Sequence, residues 1–156
     1  MIVLDIPGRE KLFLKNIVLD FNGTIALDGN LIPGVQERLN SLADSVAIYI
    51  LTADTFGTVL SACSSINGKV IVLKETIGSG EKLKFIQMLG AQETAVIGNG
   101  ANDVLMLEEA ALGITVTGPE GSSVKALMAA DVAVKDINDG LSLLLSPNRL
   151  VATLRR

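Results

Sequence analysis

Three short polar segments, each following an apolar run, contain the residue types that could do chemistry in this sequence. They are residues 20–24, 52–54 and 98–103. The first begins with Asp20 and includes Gly23, and successive amides in such a loop can form a concavity that binds anions. The third offers amides and an acid where a helix would begin, which suits a phosphate and a hydrated cation. The pattern predicts a site for phosphate and a divalent metal ion.

Each of these signals also has an ordinary structural interpretation. An Asp-x-Asn-Gly sequence is common in β-turns, and a threonine such as Thr52 often caps a helix. Lys82 lies in the first turn of a predicted helix, where an isolated lysine is usually solvated, and Lys84 lies about 200° further round that helix. Residues 78–82 resemble a P-loop but lack its Gly-Lys-Ser/Thr ending.

Composition restricts the chemistry that is available. The chain has 156 residues, no histidine and one cysteine, Cys63, which we expect to be buried on a helix. This excludes Ser-His-Asp triads, Cys-His dyads and zinc sites made of His or several Cys, so catalysis would depend on carboxylates, amides, hydroxyls and lysines. A net charge of −4 does not favour a nucleic-acid partner. No apolar run approaches the roughly 18 residues that span a bilayer, so we expect a cytoplasmic protein without a membrane partner.

Apolar runs that alternate with helical patterns must position the three segments. Residues 2–6 and 12–14 flank Pro7-Gly8 and predict a β-hairpin. Later apolar runs are typical of strands buried on both faces, and they cover residues 17–19, 46–51, 70–73, 94–97, 113–116 and 131–134. Helical patterns separate them, the first opened by Pro33 and the others at residues 55–64, 81–89, 101–110, 122–129 and 137–145.

This alternation predicts one α/β domain over residues 1–156. Its sheet would be doubly wound, Rossmann-like and mostly parallel, with an N-terminal hairpin. Ligands of such sheets bind beyond the carboxyl ends of the strands, where the three polar segments fall. The interval from 24 to 46 is expected to hold a loop and one helix, and the interval from 55 to 81 one helix, one strand and turns. Neither leaves room for a cap domain.

Four motifs in the sequence resemble those of the haloacid dehalogenase (HAD) superfamily. They are IVLDFNGT, ILTAD, EKLKFIQML and IGNGANDVLML, in the order and approximate spacing of that superfamily. The likeness to the phosphorylation domain of P-type ATPases covers nearly the whole chain. More narrowly, the sequence is similar to soluble P-type-ATPase-like proteins of archaea and bacteria.

The resemblance implies a phosphatase that acts on phosphomonoesters through an aspartyl-phosphate. Asp20 would be the nucleophile, a recognised way of dividing one difficult displacement into two. Thr52 would hydrogen-bond a phosphoryl oxygen, and Lys82 would neutralise both nucleophile and phosphate. The implied phosphate-binding residues are Gly23, Thr52, Ala53, Lys82 and Asn102.

The resemblance also implies Mg²⁺ as the cofactor. A side-chain oxygen of Asp20, the backbone carbonyl of Asn22 and the side chain of Asn99 would hold it, with Asp103 in or just behind that shell. Most HAD phosphatases have Asp at the place of Asn22, which serves as acid and base, and many have a metal-binding Asp at the place of Asn99. Asn22 is counted among the catalytic positions, although an amide cannot shuttle a proton.

Two hypotheses about function remain open at this point. Asp20, Thr52, Lys82 and Asp103 favour an enzyme, because a site without turnover has no need of all four. The two asparagines favour a slow or non-catalytic phosphate- or metal-binding regulatory module with the same fold. The expected partner is a small-molecule phosphate ester or a phosphorylated macromolecule. A homo-oligomer could supply the lid that the chain itself lacks.

Overall fold

The computed structural model describes residues 1–53, 58–74 and 78–156. Its strands are β1 (Ile2–Leu4), β2 (Leu12–Leu14), β3 (Asn16–Asp20), β4 (Ala26–Leu27), β5 (Asn30–Leu31), β6 (Ala47–Thr52), β7 (Lys69–Val72), β8 (Thr94–Gly98), β9 (Leu112–Val116) and β10 (Val132–Val134). The helices are α1 (Val35–Ala43), α2 (Thr58–Ala62), α3 (Ser79–Leu89), α4 (Val104–Glu109), α5 (Val124–Ala129), α6 (Ile137–Leu145) and α7 (Pro147–Leu154).

Six of the strands form one sheet in the order β10-β9-β8-β3-β6-β7, and all neighbours are parallel. Strand β3 lies in the interior of the sheet, with Leu19 opposite Ile50 of β6 and Ile97 of β8. Every predicted strand is present to within two residues. The doubly wound parallel sheet predicted from the sequence is thereby confirmed.

The two faces of β3 pack against different groups of helices. Ile17 and Leu19 belong to a core cluster with buried residues of α1, α2, α6 and α7. Val18 points to the opposite face and packs with buried residues of α3, α4 and α5. Because successive side chains of a strand alternate between faces, a strand covered on both sides must be apolar throughout. This explains the uninterrupted apolar run before Asp20.

Two short hairpins stand beside the main sheet. Strands β1 and β2 pair antiparallel, with Ile2 opposite Leu14, as predicted. Strands β4 and β5 form a second hairpin where the sequence analysis placed only a loop. Its turn residues Asp28 and Gly29 have φ of +51° and +79°, the left-handed pair that a two-residue hairpin turn requires. The Asp-Gly dipeptide in the sequence is the signal that could have predicted this hairpin.

The helices differ from prediction in three places. The first begins at Val35 with Gly34 as its N-cap, so Pro33 precedes the helix instead of opening it. The predicted helix at 101–110 starts as a 3₁₀ turn over Ala101–Asp103. Helix α7 was not predicted at all, although Pro147 in its first turn is a recognised start signal. For the helix predicted at 55–64, residues 55–57 lie outside the described residues and α2 represents the remainder.

The first hairpin and the last helix lie at the amino ends of the strands. The backbone of Lys15 bonds to Glu93, just before β8, and to Ala47 at the start of β6. The amide of Arg156 donates to the carbonyl of Pro7 at 3.4 Å. Met1 donates to the carbonyl of Ser45, just before β6, so both ends of the described chain lie on this side of the sheet.

The carboxyl edge of the sheet is open by comparison. Between β3 and β6 the structure has only the β4–β5 hairpin and α1, and the described part of the interval between β6 and β7 has only α2 and turns. Among these described residues no cap domain covers the edge, as predicted. In the part of the chain that the structure describes, no helix has the length and apolar character needed to cross a membrane. Cys63 is buried, as expected, but it lies directly after the end of α2 and not on a helix.

Candidate active site

Asp20 is the last residue of β3 and stands at the carboxyl edge of the sheet. The chain then turns sharply, and the amide of Ala26 donates to the carbonyl of Phe21 at 3.1 Å. Gly23 has a φ of +77°, and a Cβ at this position would lie 2.4 Å from Oε2 of Glu120. The positive φ favours glycine at this position. The DFNGT segment is thus a tight loop beside Asp20.

Lys82 lies between two carboxylates. Its Nζ donates to Oδ1 of Asp20 and to Oδ1 of Asp103, each at 2.6 Å. The side chains of Lys82 and Asp103 are 2% and 0% exposed, and that of Asp20 is 14% exposed. Lysine is rarely buried unless it is paired, so this one is not an ordinary solvated lysine. Its ammonium reaches Asp20 at the end of β3, the residue that the resemblance implies it would neutralise.

Asp103 is fixed by the backbone as well as by Lys82. Its Oδ2 accepts hydrogen bonds from the amides of Asn99 and Gly100 at 3.0 and 2.9 Å. A Cβ on Gly98 would lie 2.6 Å from Cγ of Asp103, so a larger residue would push this carboxylate away from the strand end. Both oxygens of Asp103 have partners, which places this residue behind Lys82 and not on the cavity surface.

Burial and charge shift the pKa values of Asp20 and Lys82. Burial and the nearby Asp103 carboxylate raise the pKa of Asp20 from 3.8 to about 7, against the opposing effect of Lys82. Burial disfavours the charged form of Lys82, but the two carboxylates outweigh this and raise its pKa. When both acids are ionised, two negative charges share one ammonium. The excess negative charge would favour a divalent cation.

A cavity of about 510 Å³ opens at this edge of the sheet. Seven residues singled out from the sequence line it, namely Asp20, Asn22, Thr52, Ala53, Lys82, Asn99 and Asn102. Two other candidates do not line it, because Gly23 lies in the adjoining loop and Asp103 lies behind Lys82. The volume is in the range that suits small-molecule ligands.

Asn99 connects three segments of the site. Its Oδ1 accepts a hydrogen bond from Oγ1 of Thr24 at 3.2 Å, and its Nδ2 donates to the carbonyl of Gly121 at 3.0 Å. Its own carbonyl accepts from the amide of Ser123 at 2.8 Å. A carboxylate has no N–H and could not make the bond to Gly121. Asparagine therefore has a structural reason to occupy this position.

The donor set around the cavity fits Mg²⁺, which prefers oxygen ligands. The Asp20 carboxylate, the Asn22 main chain and the Asn99 amide oxygen are the expected donors, and all three residues line the cavity. Within residues 1–53, 58–74 and 78–156, no three acidic or cysteine side chains converge as a metal cluster. The cation would thus be held by few carboxylates.

We expect Mg²⁺ to bind weakly to the phosphate-free protein and more tightly when inorganic phosphate is present. The neutral oxygen of Asn99 contributes less attraction than a carboxylate, and Mg²⁺ in such sites usually relies on phosphate oxygens. Titration calorimetry with and without phosphate measures the difference. Tight binding that does not depend on phosphate would contradict this arrangement.

Gly100, in the predicted segment 98–103, also lines the cavity, and three further lining residues were not predicted as site residues. Leu73 and Gly78 come from the connection after β7, and Glu120 comes from the connection after β9. From the sequence, residues 78–82 were compared only with a P-loop, and the connection after β9 was not considered as part of the site. The rule that ligands bind beyond strand ends, applied to every strand, would have included these connections.

Comparison with protein-family profiles gives no match for the sequence. The chain is 47% identical over 88 residues to the uncharacterized protein MJ0073 of Methanocaldococcus jannaschii, covering 53% of this chain and 95% of that protein. It is 41% identical over 51 residues, or 33% of this chain, to the probable phospholipid-transporting ATPase 12 of Arabidopsis thaliana, of which it covers 4%.

Solved structures share the fold at low sequence identity. A structure described as a HAD superfamily (subfamily III A) hydrolase of Legionella pneumophila has a TM-score of 0.69 at 15% identity, covering 90% of this chain and 87% of that one. The 3-deoxy-D-manno-octulosonate 8-phosphate phosphatase of Moraxella catarrhalis, in complex with magnesium, phosphate and KDO, has a TM-score of 0.67 at 19% identity, covering 91% and 94%. The chain therefore belongs to one family with MJ0073 and has the fold of the haloacid dehalogenase superfamily.

Proposed function

We propose that this chain is a Mg²⁺-dependent phosphatase that acts on phosphomonoesters through an aspartyl-phosphate on Asp20, with residues 1–156 as one catalytic domain. The observation that carries the proposal is the buried Asp20–Lys82–Asp103 ion-pair system beside a cavity at the carboxyl edge of the sheet. Burying three charged side chains costs free energy. Phosphoryl transfer depends on positioning and charge neutralisation, and these three side chains would provide both. The partial likeness to an ATPase supports the narrower P-type-ATPase-like group.

In the first step of the proposed reaction, a carboxylate oxygen of Asp20 attacks phosphorus. The bond from phosphorus to the ester oxygen breaks, and the leaving group departs with the electron pair. Lys82 fixes Asp20 and offsets the negative charge on the phosphoryl oxygens, while Thr52, Ala53 and Asn102 bind these oxygens. Held by Asp20, Asn22 and Asn99, Mg²⁺ would supply further charge neutralisation.

In the second step, water attacks phosphorus and the bond to Asp20 breaks, which releases inorganic phosphate and the free carboxylate. The proton of the attacking water must pass to a base or to solvent. Asn22 lines the cavity. The resemblance to HAD phosphatases implies an aspartate at this position in most of them, and the amide of Asn22 cannot accept this proton. Esters with leaving groups that need no proton, such as aryl or acyl phosphates, are therefore the preferred substrate class.

The amide at position 22 predicts that the phosphoenzyme accumulates. General acid-base assistance is typically worth about 10²- to 10⁴-fold, so the second step should be slower than the first with an aryl phosphate. Pre-steady-state kinetics should show a burst that approaches one equivalent of phenolate per site. Asn22→Asp should raise the steady-state rate and reduce the burst.

The same measurements separate the enzyme from its rival, a phosphate- or metal-binding module. The rival is favoured by the two asparagines, which reduce both the proton transfer and the metal affinity of the site. A burst that requires Mg²⁺ supports the enzyme. If neither phenolate nor phosphate is released with any ester, with or without Mg²⁺, the binding module replaces it.

A further inference from the structure

Glu120 approaches the nucleophile loop from a different part of the chain. A Cβ atom built on Gly23 would lie 2.4 Å from Oε2 of Glu120, 2.6 Å from Nδ2 of Asn99 and 3.0 Å from Oδ1 of Asn99. The Glu120 carboxylate and the Asn99 amide are therefore near neighbours on the same side of this loop. Both line the cavity that Asp20 and Asn22 also line.

The turn that contains Glu120 is tied to Asn99. The amide of Gly121 donates to the carbonyl of Gly118 at 3.2 Å and closes the turn. Nδ2 of Asn99 donates to the carbonyl of Gly121, and the amide of Ser123 donates back to the carbonyl of Asn99 at 2.8 Å. The amide at position 99 thus holds in place the segment that presents the carboxylate at position 120.

Glu120 lies at the cavity and outside the packed core. It is exposed to solvent there, and among the described residues it has no ion-pair partner. Its carboxylate adds negative charge to a site where Asp20 and Asp103 already exceed the charge of Lys82. Such an arrangement is unfavourable alone and becomes favourable when a cation occupies the site.

We infer that Glu120 is a metal-site carboxylate that replaces the acid missing at Asn99. This inference rests on the proposed function, because it concerns the same Mg²⁺ site. Asn99 places no negative charge at the end of β8, and Glu120, in the turn after β9, supplies one instead. Asn99 holds that turn in place through its hydrogen bonds. The cation would then face the two carboxylates of Asp20 and Glu120, the number by which Mg²⁺ is commonly bound.

Mn²⁺ binding tests the inference without reference to catalysis. The electron paramagnetic resonance signal of free Mn²⁺, measured during titration of the protein in inorganic phosphate, gives the dissociation constant. Glu120→Gln should weaken binding at least about tenfold, since carboxylates at or next to a metal typically affect affinity by 10- to 100-fold. Glu108→Gln, a change of an exposed glutamate on α4 that does not line the cavity, is the matched control and should leave the constant unchanged.

A charge-restoring variant sharpens the test. Asn99→Asp in the Glu120→Gln background returns a carboxylate to the end of β8, and binding should recover toward the wild-type constant. Equal affinity of the wild type and Glu120→Gln, or an equal loss in Glu108→Gln, would overturn the inference. If the wild type shows a burst with an aryl phosphate but wild type and Glu120→Gln bind Mn²⁺ equally well, the chain is a phosphatase in which Glu120 does not have this role. A selective loss of Mn²⁺ affinity in a protein without phosphatase activity would support the role of Glu120 and reject the phosphatase.

Discussion

Asp20→Asn is expected to abolish phosphatase activity and, in metal-free protein, to raise the free energy of unfolding at neutral pH. Activity should fall below about one hundredth of the wild-type rate, because the substitution removes the nucleophile while keeping its size. Residual turnover above that level would place the nucleophile elsewhere. The gain in stability is the less obvious half of the prediction and follows from the electrostatics of the site.

The gain arises because Asp20 is held at a cost when it is ionised. Its pKa in the folded protein is raised to about 7 from 3.8, first by burial and then by Asp103. A raised pKa means that Asp20 favours the folded state while protonated, and this contribution is lost as pH rises from 3.8 through about 7. At 1.36 kcal/mol per pKa unit the loss is at most about 4 kcal/mol. The amide in Asp20→Asn would not titrate and would leave Lys82 paired with Asp103 alone.

Urea unfolding in a chelator at pH 5 and pH 8 measures this effect. The stability difference between Asp20→Asn and wild type should be larger at pH 8 than at pH 5, and added Mg²⁺ should stabilise the wild type more than the variant. Asp44→Asn, at an exposed position after α1, is the control and should show neither trend. A variant less stable than wild type at pH 8 would show that Asp20 does not carry a desolvated charge.

Lys82→Met is expected to cause the largest loss of stability at the site. Methionine keeps much of the side-chain volume but leaves Asp20 and Asp103, 14% and 0% exposed, without their shared cation. Removing one partner of a buried ion pair typically costs about 3–5 kcal/mol. The loss should be smaller at pH 5 than at pH 8, because protonation relieves the repulsion between the carboxylates. Phosphatase activity should fall about 10²- to 10³-fold, as for other groups that stabilise transition-state charge.

Lys84→Met provides a matched control on the same helix, since Lys84 is exposed and does not line the cavity. It should change the free energy of unfolding little and leave activity intact. The double variant Lys82→Met, Asp20→Asn should recover part of the lost stability, because only one buried carboxylate remains. Equal destabilisation by the two lysine substitutions would show that Lys82 is not the buried counter-ion of this site.

Much of the fold could be predicted from the sequence because both faces of the sheet are buried. Strands such as β3 and β8 are therefore largely apolar, and their ends are marked by Asp20 and Gly98. The site residues follow those ends, so the same pattern that located the strands also located the site. Helix α7 was not predicted because its start signal, Pro147, comes almost directly after α6, with no loop to separate the two helices.

Other features depend on contacts between distant parts of the chain and could not be read locally. Lys82 is 62 positions from Asp20 in the sequence. It becomes a buried cation only because the fold brings α3 next to the ends of β3 and β8. An isolated lysine in a helix carries no local mark of that environment. Glu120 likewise acquires its significance from Gly23 and Asn99, which are close to it only in the folded chain.

The position of Met1 and Arg156 at the amino side of the sheet has a practical consequence. Met1, whose amino group donates to the carbonyl of Ser45, and Arg156, whose amide donates to Pro7, lie on the side opposite the cavity. A surface tether attached at either residue would therefore immobilise the molecule with the opening of the cavity directed into solution. Single-molecule or biosensor measurements of ligand entry could use either attachment without obstructing access.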